Sequence, residues 1–140
     1  MIRAADVMPM LVRACPSFAP TWASLQDDEI HLGQDGTRLT YLDAGEFTRH
    51  LVEQFAAGEI DEVRGSFVVI EAMHTDGDEY VRELATIGFL EGVQTAAAHD
   101  SRCEPADFEA FLGVESRRWW RGLEAFWSGG APTVTALDGA

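Results

Sequence analysis

One segment constrains the fold of this chain more than any other. Between Leu84 and Val93 almost every residue is apolar, whichever side of a helix it would occupy. A helix that is apolar on all sides has to be surrounded by other elements. The helical pattern extends over residues 78–98, so the sequence predicts a central, buried helix there. Gly88 and Gly92, each costing about 1 kcal/mol relative to Ala in a helix, indicate close contacts with neighbouring helices.

The flanking sequence also divides into helical segments. Apolar residues at helical spacing and helix-boundary residues predict further helices over about 7–14, 43–57, 59–74, 105–112 and 114–127. Asp43-x-x-Glu46 is a capping box, which predicts that the second of these helices begins at Asp43. In the last helix, Trp120, Leu123 and Trp127 fall on one face and are expected to close the core.

The predicted fold is all-α. We expect one compact domain over residues 1–128, built from five to six antiparallel helices joined by short loops. The turn Gly33-Gln-Asp-Gly36 permits a minor β-hairpin near residues 30–42. Residues 129–140 begin with Gly-Gly-Ala-Pro and show no periodic pattern, so a weakly ordered C-terminal tail is expected.

The charge of the chain is strongly negative and unevenly distributed. Asp and Glu number 24 against ten cationic residues, all arginine, and the net charge is −14. Residues 26–109 contain 20 of these acids and only five arginines. Duplex nucleic acid and anionic membranes are therefore not expected as ligands, because both require a cationic surface. With neither a signal sequence nor a spanning segment, a cytoplasmic location is expected, where Cys15 and Cys103 stay reduced.

The acidic block predicts a binding surface for a basic protein partner. If two of the predicted helices are antiparallel across a short loop, several carboxylates converge at one end of the pair. The predicted patch consists of Glu71, Asp76, Asp78, Glu79 and Glu83. Such a patch attracts a cationic partner and raises its rate of association. The alternative is that these acids only keep the protein soluble.

A second candidate site lies in the last predicted helix. It consists of Arg117, Arg118, Trp119 and Arg121, which could hold an anion beside an aromatic ring. The alternative is that these arginines stack on tryptophans or pair with nearby acids.

No catalytic or metal-binding motif is evident. Glu71-x-x-His74 and His50-x-x-Glu53 each place a carboxylate and an imidazole on one helix face. Di-iron bundles use Glu-x-x-His twice in the same order, together with two further glutamates, and that set is not present. Nucleophile elbows and phosphate-binding glycine loops are also absent. The sequence therefore predicts a non-enzymatic protein without cofactors or metal ligands.

Two stretches resemble known families. Residues 77–91 are similar to the second helix of a HEAT-type repeat, which implies a HEAT-like central hairpin. The closing motif Gly113-Val-Glu-Ser-Arg-Arg-Trp-Trp resembles that of a family of short, acidic, uncharacterised bacterial proteins. The same family is similar to this chain at Ala14-Cys-Pro-Ser-Phe and at Tyr41-Leu-Asp-Ala-Gly-Glu-Phe, so the resemblance covers about residues 8–128. It implies a compact helical fold and a role in partner binding or toxin immunity.

One main functional hypothesis and two alternatives follow. The main hypothesis is an acidic binding module, of the immunity or antitoxin type, that inhibits a basic protein partner. The first alternative is a HEAT-like scaffold whose apolar groove binds a peptide, with an affinity that salt does not weaken. The second alternative is a metal-dependent helical enzyme. A monomer or a weak dimer is expected in each case.

Overall fold

The predicted central helix is present as one continuous helix over residues 79–98. In this computed structural model, which describes residues 1–138, it consists of α5 (Glu79–Glu83), a π-helical segment (Leu84–Leu90) and α6 (Glu91–Ala98). A π-helical segment has a wider turn than an α-helix, and such segments occur frequently at functional sites. Residues 139 and 140, at the end of the predicted tail, lie outside the described part of the chain.

Helices account for most of the described residues. The remaining α-helices are α1 (Ala4–Ala14), α2 (Ala19–Gln26), α3 (Thr40–Ala56), α4 (Ile60–Asp76) and α7 (Val114–Trp127). Short 3₁₀-helices cover Pro16–Phe18, Glu29–His31 and Pro105–Phe111. Residues 1–138 contain no β-strand, only two isolated bridges. The prediction of an all-α, single-domain fold is therefore confirmed.

The core forms around the central helix. Leu84, Phe89 and Leu90 have no exposed surface, and the helix contacts α1, α3, α4 and α7. Gly92 lies against α3 so closely that a Cβ atom there would be 2.8 Å from Thr48 Oγ1. The absence of a side chain at Gly92 thus allows α6 and α3 to approach each other.

Helix α3 begins three residues earlier than the capping box predicts, at Thr40. Asp43 is fully buried, and its carboxylate does not cap the helix. It accepts hydrogen bonds from Arg38 Nη2 (2.7 Å) and Arg38 Nε (3.0 Å), and it lies 2.7 Å from His31 Nδ1. A buried carboxylate needs such partners because burial of an unpaired charge is costly.

The permitted β-hairpin near residues 30–42 is reduced to one bridge, between Leu32 and Arg38. Gly36 closes the turn with a φ of 82°, a conformation that glycine adopts without steric cost. Residues on either side cannot extend the ladder, because Glu29–His31 is a 3₁₀-helix and Thr40 already belongs to α3.

Helix α7 packs on the core along only part of its length. Trp120 and Leu123 are buried as expected, but Trp127 is 65% exposed and does not close the core. Trp127 is the last residue of α7, beyond the buried part of the helix, and its ring contacts Phe126 edge to face.

The described part of the tail runs beside α7. The backbone N–H of Leu137 donates to Arg118 O at 3.0 Å, and Val134 packs against the core. At Gly122 of α7, an added Cβ atom would overlap Thr135 O, so the tail approaches the helix backbone directly. The weak order expected of this tail remains a prediction, but its position on α7 is defined.

Among the described residues, no helix combines the length and apolar character needed to cross a bilayer.

Candidate binding cavity

A cavity of about 550 Å³ lies between the central helix and α7. It is lined by His74, Glu79, Arg82, Glu83, Thr86, Ile87, Glu115, Trp119 and Val134. Helix α5 and the π segment supply one side, whereas α7 and the tail supply the other. A cavity of this volume can accommodate a long side chain or a small ligand.

His74 and Thr86 are the buried polar residues among those that line the cavity. One ring nitrogen of His74 lies 2.9 Å from Ser116 Oγ and the other 3.0 Å from Thr86 Oγ1. Burial lowers the pKa of His74 to about 4, despite the opposing effect of the nearby Glu71 and Glu115 carboxylates. At neutral pH this imidazole is therefore uncharged, and the charge of the cavity comes from its rim.

Two carboxylates on α5 give the rim a negative charge. Glu79 and Glu83 are exposed and lie one helical turn apart, with Arg82 as the cation that lines the cavity beside them. Within residues 1–138, neither Glu79 nor Glu83 forms an ion pair. Glu115, on the opposite side, pairs with Arg118 at 2.7 Å. Glu79 and Glu83 are thus the carboxylates in this cavity that remain free to bind a cation.

Glu71 of the predicted patch has a structural role instead. Its two carboxylate oxygens accept the backbone N–H groups of Glu115 (3.0 Å) and Ser116 (2.8 Å), which are at the start of α7. Burial of Glu71 favours a higher pKa, but these hydrogen bonds outweigh it and lower the pKa of the carboxyl below its ordinary value. This side chain therefore caps α7 and satisfies two of its otherwise unpaired donors.

The two remaining acids of the predicted patch are held at the junction before α5. Asp76 lies 3.9 Å from the amino group of Met1. Asp78 is the N-cap of α5 and accepts the backbone N–H of Val81 at 2.9 Å. The five predicted residues are thus divided among α7 capping, this junction and the cavity rim.

The structure also divides the predicted anion site. Trp119 lines the cavity together with Glu79 and Glu83, so residues from both predicted sites meet there. Arg118 pairs with Glu115 and with Asp138 of the tail (2.9 Å). The Arg117 side chain donates to backbone carbonyl oxygens, including Leu112 O at 3.3 Å, and Arg121 is half-buried on the same helix.

The two pairs with Glu–His spacing are not arranged as metal ligands. Glu71 accepts hydrogen bonds from the backbone of α7, and both ring nitrogens of His74 are bonded to hydroxyl groups. In the second pair, Glu53 forms an ion pair with Arg102 at 2.6 Å. His50 faces a different set of side chains.

The side chains around His50 form a polar cluster that the sequence did not predict. Cys15, His50 and Glu62 bring a thiol, an imidazole and a carboxylate together, with their ligand atoms all within 4.8 Å of one another. Ser17 Oγ lies 2.7 Å from His50 Nε2 and donates to Glu62. The resemblance at Ala14-Cys-Pro-Ser-Phe includes Cys15 and Ser17. Their partners are distant in sequence, since His50 lies 33 residues after Ser17 and Glu62 lies 47 residues after Cys15.

Comparison with known proteins identifies a family but no characterised relative. Neither the curated proteins nor the solved structures include a match to this chain. The model of one protein family, described as Domain of unknown function (DUF7674), matches residues 8–128. Since that span includes nearly all the helical domain, the chain belongs to this family.

Proposed function

We propose that this protein is a non-enzymatic binding module that captures a basic protein partner by taking a cationic side chain into the cavity beside the central helix. The observation that carries the proposal is that Glu79 and Glu83, without ion partners in the described chain, line one cavity together with Trp119 on its opposite side. The cavity is large enough for an arginine or a lysine side chain.

The chemistry of these three residues suits a guanidinium or an ammonium group. A carboxylate forms charge-assisted hydrogen bonds with either group, and it can bind a guanidinium through two parallel bonds. A tryptophan ring within about 6 Å of a cation adds roughly 0.5–2 kcal/mol, depending on how far the pair is removed from water. Glu79 and Glu83 therefore supply the charge, and Trp119 supplies an aromatic surface.

The spacing of the two glutamates supports the same interpretation. Like charges one helical turn apart destabilise a helix by a few tenths of a kcal/mol. A bound cation removes the repulsion between Glu79 and Glu83. Binding therefore stabilises this part of the helix relative to the free protein. The net charge of −14 acts over a longer range and favours the approach of a basic partner.

A finer proposal concerns the biological class. An acidic helical module of this size suits an immunity or antitoxin-type inhibitor that acts in the cytoplasm as a monomer or weak dimer. The HEAT-like character of the pair formed by α4 and the central helix belongs to the same proposal, since a helical hairpin would present the cavity on a rigid support.

The test uses argininamide as a cationic probe and Trp fluorescence as the readout. The double variant Glu79→Gln/Glu83→Gln should bind the probe at least about 10-fold more weakly than the original chain, since charge-assisted bonds contribute roughly 1.5–3 kcal/mol each. A matched control is Asp27→Asn/Glu29→Gln, which removes the same charge from exposed residues that do not line the cavity. This control should bind the probe nearly as well as the original chain.

Salt dependence separates this proposal from an apolar peptide groove. Raising the salt from 0.05 to about 0.5 M should weaken binding of the probe, and of any protein captured in a pull-down, because it screens interactions between exposed charges. If the two double variants weakened binding of the probe equally, the net charge of the protein alone would account for binding. Binding that salt does not change would favour the apolar groove.

A further inference from the structure

Three elements that are distant in sequence meet at the polar cluster described above. Cys15 follows α1, His50 belongs to α3, and Glu62 lies in the first turn of α4. Cys15 is fully buried, whereas His50 and Glu62 are half-buried. No residue of this cluster lines the cavity of the proposed function, so the cluster is a separate feature of the molecule.

The donor atoms have the chemistry of a zinc site. Thiolate, imidazole and carboxylate are the three side-chain ligands that Zn²⁺ uses in proteins. A soft sulfur ligand disfavours Mg²⁺ and Ca²⁺, which prefer oxygen donors alone. Three protein ligands with an open fourth position are also a known arrangement for zinc.

The distances are close to those of a tetrahedral site. Cys15 Sγ lies 3.4 Å from Glu62 Oε2. In a tetrahedral zinc site, bond lengths of about 2.3 Å to sulfur and about 2.1 Å to oxygen place these two ligand atoms roughly 3.6 Å apart. The three ligand atoms, one of them a ring nitrogen of His50, lie within 4.8 Å of one another, so small side-chain movements suffice to surround an ion.

Neighbouring groups hold the glutamate in place. Glu62 Oε1 accepts the backbone N–H of Ser17 at 3.2 Å, and Gln54 Nε2 donates to Oε2 at 3.3 Å. Hydrogen bonds of this kind orient metal ligands in known sites and reduce the cost of bringing them together. The Glu62 carboxylate is therefore already directed towards Cys15 and His50.

The Ser17 hydroxyl group currently connects the cluster. It bonds to His50 and Glu62 and lies 3.6 Å from Cys15 Sγ, so it occupies much of the space that an ion would need. Ser17 is exposed, which allows its hydroxyl group to rotate towards solvent. His50 also lines a cleft of about 400 Å³, so its ring borders solvent-accessible space.

We propose that this chain binds one Zn²⁺ ion through Cys15 Sγ, His50 Nε2 and Glu62, with water in the fourth position. Binding breaks the S–H bond of Cys15, forms a Zn–S bond and releases the thiol proton to solvent, with no change of oxidation state. The ion would join the end of α1 to α3 and α4, and would thereby stabilise the folded state over the unfolded state.

The test measures zinc stoichiometry and cobalt absorption on the full, untagged chain. After removal of metal by a chelator, the protein is dialysed against ZnCl₂ with excess Mg²⁺, which occupies nonspecific carboxylate sites. One zinc per chain and a higher melting temperature are expected. With Co²⁺ in place of Zn²⁺, a thiolate-to-metal charge-transfer band should appear.

Two cysteine variants identify the ligand. Cys15→Ser should lose the charge-transfer band and bind zinc at least about 100-fold more weakly, whereas the control Cys103→Ser should keep both properties. Glu62→Gln provides a second ligand variant if Cys15→Ser does not fold. Substoichiometric zinc in the original chain, or a charge-transfer band lost in Cys103→Ser, would overturn the proposal. Because no variant here changes the cavity residues, failure of this site leaves the proposed function unaffected.

Discussion

Two buried polar residues, Asp43 and His74, show how single side chains determine local structure here. The buried Asp43 carboxylate is bonded to Arg38 and His31, so two partners hold it in position. His74 is neutral and bonded to two hydroxyl groups, and protonation of its buried ring would destabilise the folded state. The first residue joins α3 to the segment that precedes it, and the second makes stability depend on pH.

The depressed pKa of His74 predicts a loss of stability in mild acid. An unfolded histidine has a pKa near 6.5, whereas folded His74 has a pKa of about 4. Between these values the unfolded state binds a proton that the folded state does not, so stability decreases as the pH falls from 6.5 to 4. Above pH 6.5 the contribution is constant. Between pH 7 and 4.5, the loss from this residue should be roughly 2–3 kcal/mol.

Urea unfolding of His74→Gln at the two pH values measures this contribution. The variant should lose less stability on acidification than the original chain, by about 2 kcal/mol. The control His99→Gln alters an exposed histidine and should retain the full loss. The lowered pKa of Glu71 adds a loss of stability on acidification in all three proteins, mainly through backbone hydrogen bonds from α7 that neither substitution removes. Equal acid sensitivity of His74→Gln and the original chain would contradict the assignment.

At the scale of elements, glycines in helices show where close packing controls the fold. A Cβ atom at Gly92 would lie 2.8 Å from Thr48 Oγ1 and 3.0 Å from Thr48 Cγ2. At Gly45, inside α3, an added Cβ atom would meet just one atom of another described residue's side chain within 4 Å, Arg49 Nη1 at 3.7 Å, which belongs to a flexible side chain. The two glycines therefore provide a matched pair for substitution by alanine.

Substitution by alanine should have opposite effects at the two positions. Alanine is favoured over glycine in a helix by about 1 kcal/mol, so Gly45→Ala should stabilise the protein by up to that amount. At Gly92 the added methyl group pushes α6 away from α3, at a cost of about 1–3 kcal/mol. The free energy of unfolding in denaturant distinguishes the two variants. Stabilisation by Gly92→Ala would mean that the contact between these helices is looser than described.

Sequence patterns predicted the long helices but not their details. Helices α3, α4 and α7 and the central helix have enough apolar residues at regular spacing to be recognised. Helix α2 has only a weak sequence signal, enough for one helical turn around Trp22, since Pro20 and the polar residues after it leave little pattern. The π segment was not predicted because its residues are equally compatible with an α-helix.

The candidate sites were harder to predict because they depend on contacts between distant segments. Glu79 and Glu83 could be placed together, since both lie on one helix. The capping role of Glu71 depends on α7, which begins more than 40 residues later. The cluster at Cys15 depends on two helices whose positions the sequence alone does not provide.

At the scale of the whole molecule, the described residues of the C-terminal tail contact both the cavity and α7. Val134 lines the cavity, and Asp138 pairs with Arg118 next to Glu115. The tail therefore supplies part of the cavity wall on the side of α7. Its removal should affect both the environment of Trp119 and the stability of the domain.

Ending the chain after Gly130 should make Trp119 more accessible to water. We expect stronger quenching of Trp fluorescence by acrylamide and a loss of about 1–3 kcal/mol of stability from lost apolar contact and hydrogen bonding. Gly122→Ala tests the same arrangement in the full-length chain, since its Cβ atom would overlap Thr135 O and displace the tail. Asp138→Asn, which removes only an exposed ion pair, should change stability by less than about 1 kcal/mol. Unchanged quenching in both tail-displacing proteins would contradict this arrangement.

The first residues of the chain pair with the junction between α4 and α5. This contact affects the design of experiments that search for a partner. The backbone N–H of Ile2 donates to Asp76 O at 2.8 Å, and the N–H of Asp78 donates to Ile2 O at 3.0 Å, directly before Glu79. With Val134 of the tail on the other side of the cavity, an affinity tag or fluorophore fused at the N-terminus would adjoin the cavity and compete with a partner. An epitope inserted into the exposed turn at residues 34–36 avoids both sides, and should recover partners that an N-terminal fusion misses.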